Sequence, residues 1–301
     1  IHGIDPDRII VGNGVDSLIK ILCMAMLDPG DELVMGWPSF ISYRQGAMAQ
    51  GATVTPVALD ARGAYDLDAL AAAVGPRTRI VAVVSPNNPT GAVYTRDETK
   101  ALVDFAVKHD LWILDDMIYS TLVWVDGGYT SPCAFEGGAE RTITIGGWSK
   151  GWAMTGWRLG WIAGPTTVMD GVKKVNVSAA THVPTFLMPA AEKALELREE
   201  IEVMEEAFAE RRLAIHEAFS SLPGVVVPQP EGAFYILCDI TGTGMSDIEF
   251  ATEALEKAQV QVIPGSLMKG GEGLIRVSYA TSLENIHEGV RRLREWLESR
   301  S

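Results

Sequence analysis

The sequence predicts an α/β protein: a mostly parallel sheet covered by helices on both faces, followed by a smaller C-terminal α+β domain. Three observations carry this. Between residues 8 and 163 short β-rich runs alternate with helical patterns. Runs such as IVAVV (80–84) and LWIL (111–114) are apolar on both faces, as strands covered on two sides are. Beyond residue 163 the order changes to a long polar helix pattern, then strands and helices that cover one side.

In chain order, strands are expected at 9–11, 32–35, 53–58, 80–84, 111–114, 142–145 and 159–163. Helices are expected at 15–27, 40–50, 67–73 and 97–109. The third of these follows the polar Asp66, and the fourth opens with a capping box, Thr95 with Glu98, which satisfies the first unpaired amides. Residues 190–222 read as one long connector helix rich in Glu and Arg. Strands at 233–237 and 274–279 follow, with helices at 248–258 and 283–298. Capping boxes are expected there at Ser246 with Glu249 and at Thr281 with Glu284. This divides the chain into a large α/β domain, 1–195, and a small α+β domain, 196–301.

Composition narrows the partners. The 301 residues hold 39 acidic and 25 basic side chains, a formal charge of −14. That field repels phosphate backbones and anionic membrane surfaces, so neither nucleic acid nor membrane is an expected partner. No apolar run reaches the roughly 18 residues that span a bilayer. Cys23, Cys133 and Cys238 are scattered, without metal-ligand spacing, which points to a reducing, cytoplasmic compartment. The sequence opens at Ile1, without Met, and its first turn already has a functional look. A preceding N-terminal segment is therefore expected.

In a parallel α/β sheet, ligands gather beyond the carboxyl ends of strands. After 9–11 comes the turn Gly12-Asn13-Gly14-Val15-Asp16, whose helix-start amides at Gly14, Val15 and Asp16 suit a phosphate. After 80–84 comes Ser85-Pro86-Asn87-Asn88-Pro89-Thr90-Gly91. After 111–114 comes Asp115-Asp116-Met117-Ile118-Tyr119, and after 142–145 comes Gly146-Gly147-Trp148-Ser149-Lys150, with Arg158 further on. Singly, each has a plain structural reading: a tight turn, a helix cap, a solvated lysine, a surface ion-pair partner. Together they supply an amine nucleophile, a carboxylate, an amide, a phenol, an arginine and a phosphate-ready helix end. A pyridoxal phosphate site needs those groups.

The motifs resemble those of class I/II aminotransferases, the aspartate aminotransferase superfamily of fold type I. GGWSKGWAMTGWRLG resembles the family's cofactor-lysine motif, SPNNPTG its Asn-Pro-Thr-Gly loop, and LDDMIY its Asp-x-x-Tyr strand end. GLIRVSYA resembles the carboxylate-binding arginine segment, WPSF the aromatic over the cofactor ring, and EGAFY a strand of the small domain. All six occur in family order along nearly the whole chain.

The resemblance implies roles. Lys150 would form the Schiff base with the cofactor and then shuttle a proton. Asp116 rather than Asp115 would pair with the pyridine nitrogen, because the family places Tyr three residues later, and Tyr119 fits. Asn88 and Tyr119 would bond the phenolic oxygen, and Phe40 would stack on the ring. Arg158 and Ser149, with the helix-start amides, would hold the phosphate. Arg276 would clamp the substrate carboxylate, with Asn88 beside it. The implied substrates are an amino acid and a 2-oxo acid, and the implied assembly is a homodimer with sites between subunits.

Trp148 is larger than the residue usual at its position and is expected to reshape the phosphate side of the pocket. Family members carry about a helix, a strand and loops before the point where this sequence opens, covering the substrate pocket. Two rival functions use the same frame: a lyase or decarboxylase such as a carbon–sulfur β-lyase, and a non-catalytic sensor domain of a transcription regulator. A Rossmann dehydrogenase is disfavoured, because the Gly12 turn lacks the G-x-G-x-x-G order. A dicarboxylate substrate would need a second cation, for which Arg44 and Lys20 are candidates. His2, His109, His182, His216 and His287 show no metal spacing, and no metal is expected.

Overall fold

The structure, a computed structural model, describes residues 4–268 and 270–300; His2 lies outside them. The first half alternates as expected: β1 (Ile9–Gly12), α1 (Val15–Met26), β2 (Glu32–Trp37), α2 (Ser42–Ala49), β3 (Thr53–Ala58), α3 (Leu67–Ala73), β4 (Thr78–Val84), α4 (Arg96–Lys108), β5 (Trp112–Asp116), β6 (Thr142–Gly147) and β7 (Gly160–Ala163). There follow α5 (Thr166–Ala179), α6 (Met188–Ala194), α7 (Arg198–Ser220), β8 (Tyr235–Asp239), α8 (Asp247–Ala258), β9 (Ile263–Pro264), β10 (Leu274–Ser278) and α9 (Leu283–Glu298).

Seven strands form one sheet in the order β1-β7-β6-β5-β4-β2-β3. Only β7 runs against its neighbours, pairing antiparallel with β1 and β6. β2 to β6 pair in parallel, so the carboxyl ends of β2, β4, β5 and β6 share one edge with the start of β7. Alternation along each strand explains the two helical layers. Leu33, Met35, Ile80, Ala82 and Leu114 face α1 and α5, whereas Val34, Val81, Val83 and Ile113 face α3 and α4. Each such buried Val, Leu, Ile or Met side chain contributes about 1.5–3 kcal/mol.

Sequence-predicted caps form at Asp66, which accepts from the amides of Asp68 and Ala69, and at Thr95 with Glu98, a complete capping box. Ser246 accepts from the Glu249 amide. At α9 the cap is Ser282, not Thr281: the Ser282 hydroxyl accepts from the Asn285 amide, and Thr281 instead accepts from the Asn285 side chain.

The long helix expected at 190–222 is two helices. Amides of Leu195, Glu196 and Leu197 bond carbonyls three residues back, and Leu197 leaves helical ψ at 64°. Two cores set the two axes. Ala191 and Ala194 of α6, with Leu195, pack on Trp148, while Ile215 and Phe219 of α7 pack under the small sheet.

That small sheet has the order β8-β10-β9, all antiparallel, covered by α8 and α9. A stretch just before β8 is stitched to the larger sheet's loops. Amides of Glu231 and Gly232 donate to the Gly91 carbonyl at 3.0 and 2.7 Å, and that of Ala233 to the Leu122 carbonyl at 2.9 Å. β10 is thereby held with Arg276 facing the carboxyl edge of the large sheet. Among the described residues, no helix is long and apolar enough to cross a membrane.

Candidate active site

A cavity of about 250 Å³ opens at that edge. Val15, Asp16, Phe40, Asn88, Asp116, Tyr119, Ser149, Lys150, Arg158 and Arg276 all line it, so every residue expected at the site except Gly14 reaches one space. Val84, Ile118, Thr155 and Tyr235 complete the wall.

Strand alternation separates the two adjacent acids. Asp116 faces the cavity, fully buried; Tyr43 Oη donates to its Oδ2 at 2.6 Å and the Ile118 amide to its Oδ1 at 3.1 Å. Burial pushes its carboxyl up to about 6, against the pull of the Tyr43 and Ile118 bonds; the charge of Asp16 adds to the rise and that of Lys150 opposes it. Asp115 points to the other face, where Tyr129 Oη donates to Oδ2 at 2.6 Å and Oδ1 has no hydrogen-bond partner among the described residues. Burial pushes its carboxyl up to about 7, opposed by the Tyr129 hydrogen bond.

The amine and an arginine sit on one hairpin, β6 and β7. Lys150 Nζ lies 5.4 Å from the Phe234 ring centroid and 5.8 Å from that of Tyr119. Arg158 adopts the left-handed conformation at φ 55°, ψ 47°; its Nη1 donates to the Thr155 carbonyl at 3.0 Å. Its Nη2 is 4.0 Å from Asp16 Oδ2, while Ser42 Oγ holds Asp16 Oδ1 at 2.5 Å.

Gly14 caps α1 at φ 83°, and its own amide turns back to the Gly12 carbonyl at 2.7 Å. The expectation that this amide faces a phosphate is therefore corrected: Gly14 leaves room. A Cβ there would stand 2.6 Å from Arg158 Nη2, and one at Gly160 would stand 2.8 Å from the Val15 amide nitrogen. The amides of Val15 and Asp16, first in the helix, lack intrahelical acceptors by position.

On the opposite wall, Arg276 Nη1 donates to Asn88 Oδ1 at 3.0 Å. Phe40 meets Tyr43 edge-on, with ring centroids 6.2 Å apart. Three further expectations change. Trp148 turns away from the cavity, buried against α6, with Nε1 donating to the Ala191 carbonyl at 3.1 Å. Arg44 lines a separate cavity with Trp37 and Met48, and Lys20 is exposed on α1, so neither is the second cation of this pocket. Tyr43 and Tyr235 went unassigned in the sequence, although EGAFY marks the strand that carries the second.

A lysine, a buried acid and two arginines around one cleft at the carboxyl edge of such a sheet fit an enzyme of the aspartate aminotransferase fold. The chain belongs to the class I and II aminotransferase family, whose profile matches residues 2–293. It is similar to an aromatic-amino-acid aminotransferase of Thermococcus litoralis, 36% identical over 310 residues that cover 99% of this chain and 79% of that protein. An arginine–pyruvate transaminase of Pseudomonas aeruginosa is 34% identical, over 97% of this chain and 75% of its own length. Among solved structures, an aromatic aminotransferase from Pyrococcus horikoshii superposes with a TM-score of 0.94 at 33% identity, covering 97% of this chain and 80% of that one. An aspartate aminotransferase from Thermotoga maritima gives 0.91 at 33%, over 98% of this chain and 77% of its own. Enzymes of the aspartate aminotransferase type use pyridoxal phosphate. These relatives support transamination and give no support to the lyase or sensor alternatives.

Proposed function

We propose that this chain transfers an amino group from an α-amino acid to a 2-oxo acid with pyridoxal phosphate held in the cavity of about 250 Å³. The observation that carries the proposal is the convergence of Lys150, Asp116, Arg158 and Arg276 on that one space. The donor set fits the group: an amine for the aldehyde, a buried acid for a ring nitrogen, and a guanidinium beside a helix start for a phosphate. The glycine cradle at Gly14 and Gly160, which a Cβ would fill, brings that helix start against Arg158.

When bound, pyridoxal phosphate supplies an electrophilic aldehyde and an electron-withdrawing ring. Lys150 supplies the amine that attaches it and, once freed by substrate, moves the proton at the substrate Cα. Asp116, already fixed by Tyr43 and Ile118, holds the proton on the ring nitrogen. Arg158, Ser149 and the amides of Val15 and Asp16 bind the phosphate; the Asp16 carboxylate beside them accepts from Ser42. Asn88 and Tyr119 orient the ring through its phenolic oxygen, and Phe40 covers one face. Arg276 clamps the substrate carboxylate in a fork that Asn88 steadies.

Three further readings belong to the same proposal. Residues 1–195 and 196–301 act as large and small domains, a division supported by the helix break at Leu195–Leu197 and the two cores on either side of it. A homodimer with sites between subunits follows from the family resemblance. A cytoplasmic location is supported by the free thiols of Cys23, Cys133 and Cys238.

Mixing cofactor-loaded protein with single amino acids and following the visible spectrum tests the reaction and names the side chain the site accepts. Transamination leaves the amine form of the cofactor; elimination returns the original spectrum with loss of a substrate group, and would overturn the proposal. Lys150→Ala is expected to abolish borohydride-stable attachment of the cofactor; retained attachment would refute the role of Lys150.

A further inference from the structure

We propose that Tyr235 is a positioning residue that holds both the carboxylate clamp, Arg276, and the ring-orienting phenol, Tyr119, so that the substrate carboxylate and the cofactor ring are set by one side chain. The inference rests on the reading of Arg276 as the clamp. Tyr235 opens β8 and is buried at the wall of the cavity. Its ring lies under the guanidinium of Arg276, with Cζ 4.8 Å from the centroid. Its hydroxyl is 3.3 Å from that of Tyr119, which donates to it.

The two contacts do different things. A guanidinium held only by the bond from Nη1 to Asn88 could still swing about that bond. A ring face beneath the plane removes that freedom and leaves the remaining N–H groups directed outward, as a bidentate carboxylate requires. Tyr119 is packed edge-on against Phe234 and Tyr235, at 5.3 and 6.0 Å, so its hydroxyl has little room to choose partners. Burial and the Tyr235 hydroxyl push its phenol well above the usual range, which keeps it a neutral donor. With its O–H donated to a cofactor oxygen, Tyr119 would keep its proton, and Tyr235 would turn its own O–H to donate to the Tyr119 oxygen. The pair strengthens the donated bond cooperatively.

The test uses cofactor-loaded protein and propionate, a carboxylate with no amine, with binding measured by calorimetry and the pH midpoint of the visible band measured beside it. Tyr235→Phe keeps the ring and should bind propionate within about twofold of the parent, while the midpoint rises by about half a unit through the lost hydroxyl. Tyr235→Leu, and Tyr235→Met as a closer match in volume, should weaken propionate about five- to thirtyfold. An unchanged midpoint in the Phe variant, or equal weakening of propionate by Phe and by the ringless variants, would overturn the proposal, as a packing role alone predicts. So would parental affinity in both ringless variants. Arg276→Ala separates the two readings: if it keeps propionate affinity, the clamp itself is wrong; if it loses affinity while the ringless variants do not, only the role of Tyr235 falls.

Discussion

The hydroxyl of Tyr43 donates a 2.6 Å hydrogen bond to Oδ2 of Asp116, 73 residues further along the chain, and neither group is open to solvent. Tyr43 belongs to the helix that follows Phe40, so the segment proposed to cover the cofactor ring also sets the angle of Asp116. Tyr43→Phe removes the strongest of the bonds that hold this carboxyl down. The acid limb of the kcat/KM profile should move up by about one pH unit, and stability at neutral pH should fall by about 1.5–3 kcal/mol. A pH profile and urea unfolding check both.

Asp116→Asn keeps the shape and removes the charge. With no anion beside it, a ring nitrogen is not held protonated, and kcat should fall by about 100-fold or more with native circular dichroism. Steady-state kinetics decide; activity within a few fold of the parent would reassign the acid.

The buried acids also fix a pH dependence of stability. Folding raises the carboxyls of Asp116 and Asp115 to about 6 and about 7 from 3.8, so the folded chain binds extra protons between those values. Their contribution therefore favours the folded state at the acid end of that window, and is lost as pH rises toward 7. Asp115→Asn cannot titrate. Cofactor-free Asp115→Asn should gain stability relative to the parent, by about 1–3 kcal/mol, between pH 5 and pH 8. Parallel urea midpoints across that range would show that Asp115 does not titrate there.

Gly14→Ala places a Cβ 2.6 Å from Arg158 Nη2 at a residue whose φ is 83°. The arginine end can swing aside but the backbone strain stays, about 1–3 kcal/mol. Cofactor affinity should drop about tenfold and Tm by a few degrees, read by equilibrium dialysis and calorimetry.

The sheet was legible because both faces of its strands are apolar, and the caps of α3 and α4 because Asp66 and Thr95 with Glu98 act locally. α5 escaped because its Val and Thr residues and Gly171 read poorly as helix; its place comes from Val168, Met169 and Val172 packing on the sheet. The break at Leu195–Leu197 carries no Pro or Gly and follows from two separate cores. At the site, the motif residues stood out by chemistry. Tyr43 and Tyr235 did not, since a tyrosine in an apolar stretch reads as packing until its hydroxyl partner across the chain is known. The turning away of Trp148 likewise depends on Ala191, a partner remote in sequence.

Lys150 and Arg158 both hang from the single return between β6 and β7, whose register pairs Gly147 with Gly160. The spacing between the amine of Lys150 and the guanidinium of Arg158, the proposed attachment and phosphate groups, is thus a local ruler, indifferent to rearrangements elsewhere. Circular permutants opened inside residues 148–159 lose that ruler, while openings on remote surface turns leave it whole, which makes this stretch the one to keep unbroken when the chain is recut.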